Sequence, residues 1–200
     1  MKSEMVKLEH KGLKFKMSRP VLAELAIASV FAQVLPPAAN VQPITPTDIP
    51  AVGQPWPGQG GINGGLVSAR GDVPEHYLII AAKDIGDHAW GGYREESKAT
   101  SKTDGMANSA VLLEEGSHPA ASSASKYTAD GHNDFYLPAA AELYHCWVNC
   151  PEVFAQDCYY WSSSQRSAHY AFSMLFVVGC QDYYDKGDEL RVRPVRRLFI

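Results

Sequence analysis

Four cysteines, seven histidines and a run of three serines are the side chains of this 200-residue sequence that could attack, ligate or carry protons. Cys146 and Cys150 stand four apart, which puts both on one face of a helix, while Cys158 and Cys180 stand alone. Zinc favours closer pairs such as two C-x-x-C sets, so the expected role of these cysteines is burial as small apolar groups, with the thiols free. The histidines, at 10, 76, 88, 118, 132, 145 and 169, form no H-E-x-x-H and no close pair. A lone histidine is ordinarily a surface or hydrogen-bonded residue. Ser162-Ser163-Ser164 lacks the glycines of a nucleophile elbow. The glycines at 58, 60, 61, 64 and 65 do not follow a strand with nucleotide-binding spacing. No catalytic residue, no metal site and no cofactor is expected.

What remains is a set of residues that bind without reacting. Gln165, Arg166, Ser167 and His169 are expected in the loop after Trp161, and Gln181, Asp182, Tyr183 and Tyr184 in the next turn. Tyrosine, arginine and histidine offer contact area and hydrogen bonds at modest entropic cost, as binding loops require. The competing role is structural: Tyr183 and Tyr184 as cross-strand aromatics and Arg166 as a solvated charge. Trp161 precedes three small hydroxyl residues that permit tight packing, which favours a core position. Arg191, Arg193, Arg196 and Arg197 could form a basic face, but pairing with acids such as Asp185, Asp188 and Glu189 is expected instead.

These residues need strands to hold them. From His169 to Val178 the side chains alternate with period two, placing Tyr170, Phe172, Met174, Phe176 and Val178 on one face. Gly179 to Asp182 and Asp185 to Asp188 have turn composition and bracket Tyr183-Tyr184, so the segment reads as an antiparallel meander. Pro194 lacks a ladder donor and marks an edge or bulge before the final strand. Upstream, Tyr77 to Lys83 is an apolar run of strand length, and Asp84 to Gly92 reads as a loop carrying His88 and Trp90. The tract from Glu95 to Gly105 is polar and expected at the surface. Met106 to Glu115 and Pro119 to Lys126 suit short helices. Pro138 to Cys150 is the clearest helix of the body, with Leu143, Cys146, Trp147 and Cys150 on one stripe. Ala139 stands where a capping serine or threonine would complete a capping box with Glu142, so that helix start is expected to be weaker by about 1 kcal/mol.

The N-terminal third is built differently. Residues 1–19 carry six basic and two acidic residues, +4 in total, so the remainder carries −8 of the formal −4. Residues 20–35 place Leu22, Leu25, Phe31, Val34 and Leu35 at helical spacing behind Ser18 and Pro20. An amphipathic docking helix is the preferred reading. A signal peptide competes, although Glu24 interrupts its apolar stretch, and the segment is short for a membrane span. Seven prolines between Pro36 and Gly61 predict an extended spacer, with Trp56 as a further assembly residue and a hinge at Gly60 to Gly65. The domains are thus expected at 1–19, 20–35, 36–61 and 62–200. The acidic balance excludes a general nucleic-acid binder.

The run Tyr160-Trp161-Ser162-Ser163-Ser164, the aromatic strand ending in Gly179 and Val192-Arg193-Pro194-Val195-Arg196 resemble the C-terminal domain of Lcl-type collagen-like adhesins. Asp104 to Ser109, His118 to Ala121, Asp134 to Pro138 and Glu142-Leu143 fall in that family's order, and the resemblance covers residues 62 to 197. Related domains occur in bacteriophage tail and appendage proteins and are grouped with C-type lectin-like folds. The resemblance implies an α+β, C-type lectin-like domain. It implies a non-enzymatic virion protein whose residues 1–61 join other virion proteins and whose domain loops meet a host-surface glycan or protein. A purely structural decoration or collar subunit and an exported bacterial adhesin at the cell surface are the rivals. A trimer suits fibre-like particles, although no heptad run supports it. The Glu-Pro-Asn, Gln-Pro-Asp and Trp-Asn-Asp tripeptides of calcium-dependent sugar binding do not occur, so calcium is not carried over. Relatives of this fold that oxidise a protein cysteine use a dedicated thiol pair, which cannot be placed in this sequence.

Overall fold

The strand expected over Tyr77 to Lys83 is present, as His76–Ala81, in the computed structural model, which describes residues 5–10, 13–18, 49–71 and 73–199, the first two stretches as backbone. The chain divides into two units, residues 1–43 and 44–200, and each is described by itself. In the first, β1 (Met5–His10) and β2 (Leu13–Ser18) pair as an antiparallel hairpin within the expected basic arm. The expected docking helix, with Leu22, Leu25, Phe31, Val34 and Leu35, lies outside the described residues, as does the spacer up to residue 48.

The second unit is an α+β body with two sheets. A four-stranded sheet contains β3 (Pro55–Trp56), β4 (Gly61–Val67), β5 (His76–Ala81) and β11 (Val195–Phe199), in the order β11-β5-β4-β3. A five-stranded sheet contains β6 (Asp87–Ala89), β7 (Tyr159–Gln165), β8 (Tyr170–Leu175), β9 (Cys180–Asp185) and β10 (Glu189–Arg191), in the order β6-β10-β7-β8-β9. All pairings are antiparallel except that of β10 with β7. Three helices connect them: α1 (Gly105–Glu115), α2 (Pro119–Ser125) and α3 (Ala140–Asn149).

Two apolar cores follow from the two faces of the five-stranded sheet. Leu78 and Ile80 of β5 meet Leu143 and Cys146 of α3 and Tyr160, Met174 and Phe176 in one core. Phe154 and Phe176 stack face to face within it at 3.9 Å. Trp90, Leu112, Ala120, Ala124, Trp161 and Val192 make the other, under α1 and α2. Trp161 is fully buried as expected, and its indole N–H donates to the His88 carbonyl at 2.8 Å.

Several sequence expectations are corrected by this packing. The body does not begin near residue 61. Trp56 is 5% exposed, meets Tyr77 edge-on and pairs through β3 with β4, so it is a core residue and not an assembly contact. Among the prolines of 49–61, Pro55 opens β3 and Pro57 lies in the turn that Gly60 closes at positive φ, so this part is not an extended strap. Gly60 to Gly65 is no hinge, since a Cβ at Gly61 would strike the Ile80 carbonyl, and glycine there lets β4 lie against β5. The predicted strand over 169–178 stops at Leu175, residues 176–179 form the turn, and Gln181 to Tyr184 lie on β9 instead of in a turn. The segment after Glu189 is not one strand: it breaks at Val192–Pro194 and passes from one sheet to the other, where proline's missing donor costs nothing. Asp87–Ala89, expected within a loop, is strand β6, and the tract 95–105 buries Ser97 and Ala99.

The start of α3 shows how a missing cap is supplied from elsewhere. Glu142 Oε2 accepts the Ala139 N–H at 2.8 Å, which is half of a capping box. The other half cannot come from an alanine side chain. Ser164 Oγ on β7 instead accepts the Ala140 N–H at 3.1 Å and donates to the Ser101 carbonyl at 2.7 Å. The helix start is thus tied to the sheet, and the expected weakening is offset by a tertiary contact.

Candidate functional site

The β8–β9 pair sets directly opposite residues on one face: Tyr170 with Asp185, Phe172 with Tyr183 and Met174 with Gln181. At one end of this face α3 covers the sheet, burying Met174 and taking the Gln181 amide on the Ala140 carbonyl at 2.8 Å. At the other end nothing in the body covers Tyr170 and Tyr183, which stay 41% and 43% exposed. Their rings meet edge-on at 5.3 Å. His169 continues the row 6.2 Å from Tyr170, and Tyr93 closes it 5.4 Å from His169. Guanidinium groups stand at both ends: Arg166 lies 4.1 Å above the Tyr183 ring and Arg94 5.2 Å above Tyr93. No carboxylate among the described residues forms an ion pair with either arginine.

A buried polar clamp holds the row. Lys186, fully buried, donates to the Glu95 carbonyl and to Gln165 Oε1, each at 2.7 Å, and lies over the Trp90 ring. Burial holds its ammonium below the ordinary lysine range. Gln165 spans the two loops, accepting the Ser97 N–H at 2.6 Å and donating to Glu96 at 2.7 Å. Glu96 in turn accepts the Ala168 N–H, and the Arg94 N–H donates to the Ala168 carbonyl, both at 3.0 Å. Arg94 has φ of 69°, a left-handed conformation that costs a non-glycine residue about 1–2 kcal/mol and is kept by these neighbours. Tyr93 and Arg94 are thereby turned toward the row.

Of the residues expected to bind ligand, Arg166, Ser167, His169 and Tyr183 share this neighbourhood. Gln165 does not face outward: it is 4% exposed and positions the loop. Tyr184 lies on the opposite face of β9, against Tyr159 at 4.7 Å. Asp182 shares that opposite face and accepts the Tyr183 N–H at 2.8 Å. Gln181 is tied to α3. Tyr93, Arg94 and Tyr170 were not among the expected residues. Tyr170 carried a signal, since the alternation put it on the face of Phe172, but the coverage of that face by α3 at one end only is a tertiary fact.

The hydroxyls of Ser162 to Ser164 are engaged in hydrogen bonds of the fold. The Ser162 hydroxyl donates to the Phe172 carbonyl, and Ser163 accepts from Asn108. All four thiols are free, with burial holding Cys146 well above its ordinary range and pushing Cys150 up to about 11. The arginines pair, but with partners other than Asp185, Asp188 and Glu189. Arg191 meets Asp84 and Asp87, Arg193 meets Asp84, Arg196 meets Asp134, and Arg197 meets Asp104 and Glu142. Among the described residues no cluster of three histidine, cysteine or acidic side chains could hold a metal ion, and no helix is long and apolar enough to cross a membrane. What the exposed row can do is stack against a ring or an apolar face and offer guanidinium donors to an acceptor. Compared with known families and curated proteins, the chain matches no family model and no curated sequence.

Proposed function

We propose that this chain is a non-enzymatic virion protein of a tailed bacteriophage, an appendage subunit fixed to the particle by its N-terminal region. Its C-type lectin-like body presents the Tyr93–His169–Tyr170–Tyr183 row to a glycan or protein on the host surface. The observation that carries the binding part is that row: two exposed tyrosines on neighbouring strands and a third, Tyr93, in a turn beside them, flanked by two guanidinium groups with no acidic partner among the described residues. Aromatic faces held on strands lose little entropy on binding, and the arginines supply directional donors. The lectin-like assignment is supported by the α+β architecture and by the resemblance of residues 62 to 197. The anchoring assignment is supported by the division of the chain into two units, residues 1–43 and 44–200.

The test uses the full chain on host cells and on an array of host-surface glycans. Wild type should bind, and Tyr93→Ala with Tyr183→Ala should lose about tenfold or more in affinity. Unchanged binding by the double variant would sink the assignment of the row. In a particle-assembly assay, a chain lacking residues 1–43 should fold yet fail to incorporate, and normal incorporation would sink the anchoring half. A decoration subunit that touches only other virion proteins is the second reading. It is favoured by the exposed side chains of Tyr144, Val148, Val177 and Val178. It is the result expected if wild type incorporates but binds no host surface.

A further inference from the structure

A cleft of about 480 Å³ opens between α3 and the connection from β4 to β5, and it shares no residue with the aromatic row. Val67 and Val73 form one wall, and Ala141, Tyr144 and Val148 of α3 form the other. His76 also lines it, with 1% of its surface exposed. The His76 Nδ1 lies 2.8 Å from the Pro74 carbonyl, which can only accept, so the ring proton sits on Nδ1 and Nε2 is a bare acceptor. That Nε2 is buried and has no hydrogen-bond partner among the described residues. Buried acceptors are nearly always satisfied, so an unpaired one on a residue that lines an apolar cleft is suited to a donor brought by a ligand.

Of the other polar groups that line the cleft, Glu142 and His145 are engaged, while Ser68, Arg70 and Thr103 stand on its border. Glu142 takes hydrogen bonds from Tyr136, Ala139 and Arg197, and the His145 Nε2–H donates to the Gly64 carbonyl at 3.0 Å. Burial foremost, then the charge of Arg197, holds His76 below its ordinary range, so the ring is neutral near pH 7 and cannot pair with an anion as a cation would. The cleft's volume falls within the range that takes small organic ligands, roughly 300–1,000 Å³. We propose that this cleft is a binding site for a small, uncharged, largely apolar molecule that donates one hydrogen bond to His76 Nε2.

Indole and N-methylindole make a matched probe pair, because they differ in the single N–H donor. Each is titrated into the isotope-labelled full chain and followed by nuclear magnetic resonance. Indole should shift the resonances of Tyr144, Val148 and the His76 imidazole together, and N-methylindole should bind about tenfold more weakly, the factor expected for one lost hydrogen bond. Equal affinities, or shifts located elsewhere, would overturn the proposal. His76→Phe should erase the preference while leaving N-methylindole binding, and a preference that survives would overturn it too. Should that core variant fail to fold, Val148→Trp serves at the exposed rim: it should block both probes, and undiminished binding would count against the site.

Discussion

Arg197 and Arg166 both lie over tyrosine rings, 5.4 Å from Tyr136 and 4.1 Å from Tyr183, yet the two clusters have opposite surroundings. Arg197 is 5% exposed and its Nη2 donates to Asp104 and Glu142, each at 2.9 Å, while the Tyr136 hydroxyl donates to Glu142 at 2.8 Å. One guanidinium there faces two carboxylates of the same chain, although its Nε has no partner among the described residues. Arg166 lies in the open, over a ring that is itself exposed, with no acidic partner among the described residues. The same side chains therefore act as internal scaffold in one place and as an unfilled surface in the other. What differs is whether the fold itself supplies the complement.

The comparison breaks first at the inward cluster. Arg197→Met leaves Glu142 buried without its cation and should cost about 3–5 kcal/mol in denaturant unfolding. Adding Glu142→Gln should recover much of that loss, because the uncompensated charge is then gone. Equal stability of the single variant and wild type would show that the inward pair does not scaffold the body.

Next comes the edge of the body. Trp56→Ala should cost about 3 kcal/mol or more, as for large aromatic truncations in a core. A chain lacking residues 1–60 should be destabilised to a similar degree, whereas one lacking residues 1–43 should unfold at the wild-type midpoint. If the two truncations have the same stability, Trp56 belongs with the N-terminal unit after all.

The buried histidines sharpen the inward side through pH. Burial lowers His76 and His145 below 6.5, so as pH falls below that value the unfolded chain takes up protons that the folded one resists, and stability drops. This contribution is complete above pH 6.5 and is lost as pH falls through the folded values. Glu142, raised chiefly by burial, acts in the opposite sense, losing stability as pH rises above its ordinary range. Denaturant midpoints measured from about pH 7 down to about pH 5 should therefore fall less steeply in His76→Phe with His145→Gln than in wild type. Identical slopes would remove the histidines from the account.

The smallest effect belongs to the outward row. Tyr183→Ala should change stability by no more than about 0.5 kcal/mol, as exposed positions ordinarily do. A loss of several kcal/mol would mean that Tyr183 is scaffold, as the competing cross-strand reading holds.

Much of the body was legible because its signals are local. The apolar run of β5, the proline that opens α2 and the stripe of Leu143 and Cys146 on α3 each depend on neighbours within a turn or a strand. Trp161 was legible from the small residues that follow it. The failures share a cause, which is that they depend on what arrives from a distance. Seven prolines fairly predict extended chain, but Trp56 finds Tyr77, and Pro55 and Trp56 of the expected spacer become part of a sheet. Gln165 has the composition of a ligand contact, and the arrival of Lys186 and Ser97 makes it a clamp. Tyr93 and Arg94 join the row through contacts across more than seventy residues, which no periodicity encodes.

By itself the sequence determined the type of several elements, the alternation that puts Tyr170 with Phe172 and the core role of Trp161. These follow from backbone periodicity and side-chain chemistry, which act over a few residues. Only the tertiary structure decided which tyrosines and arginines are enclosed and which stay open. A hydrogen bond or ion pair is a property of two groups, and its second member here usually lies on another element.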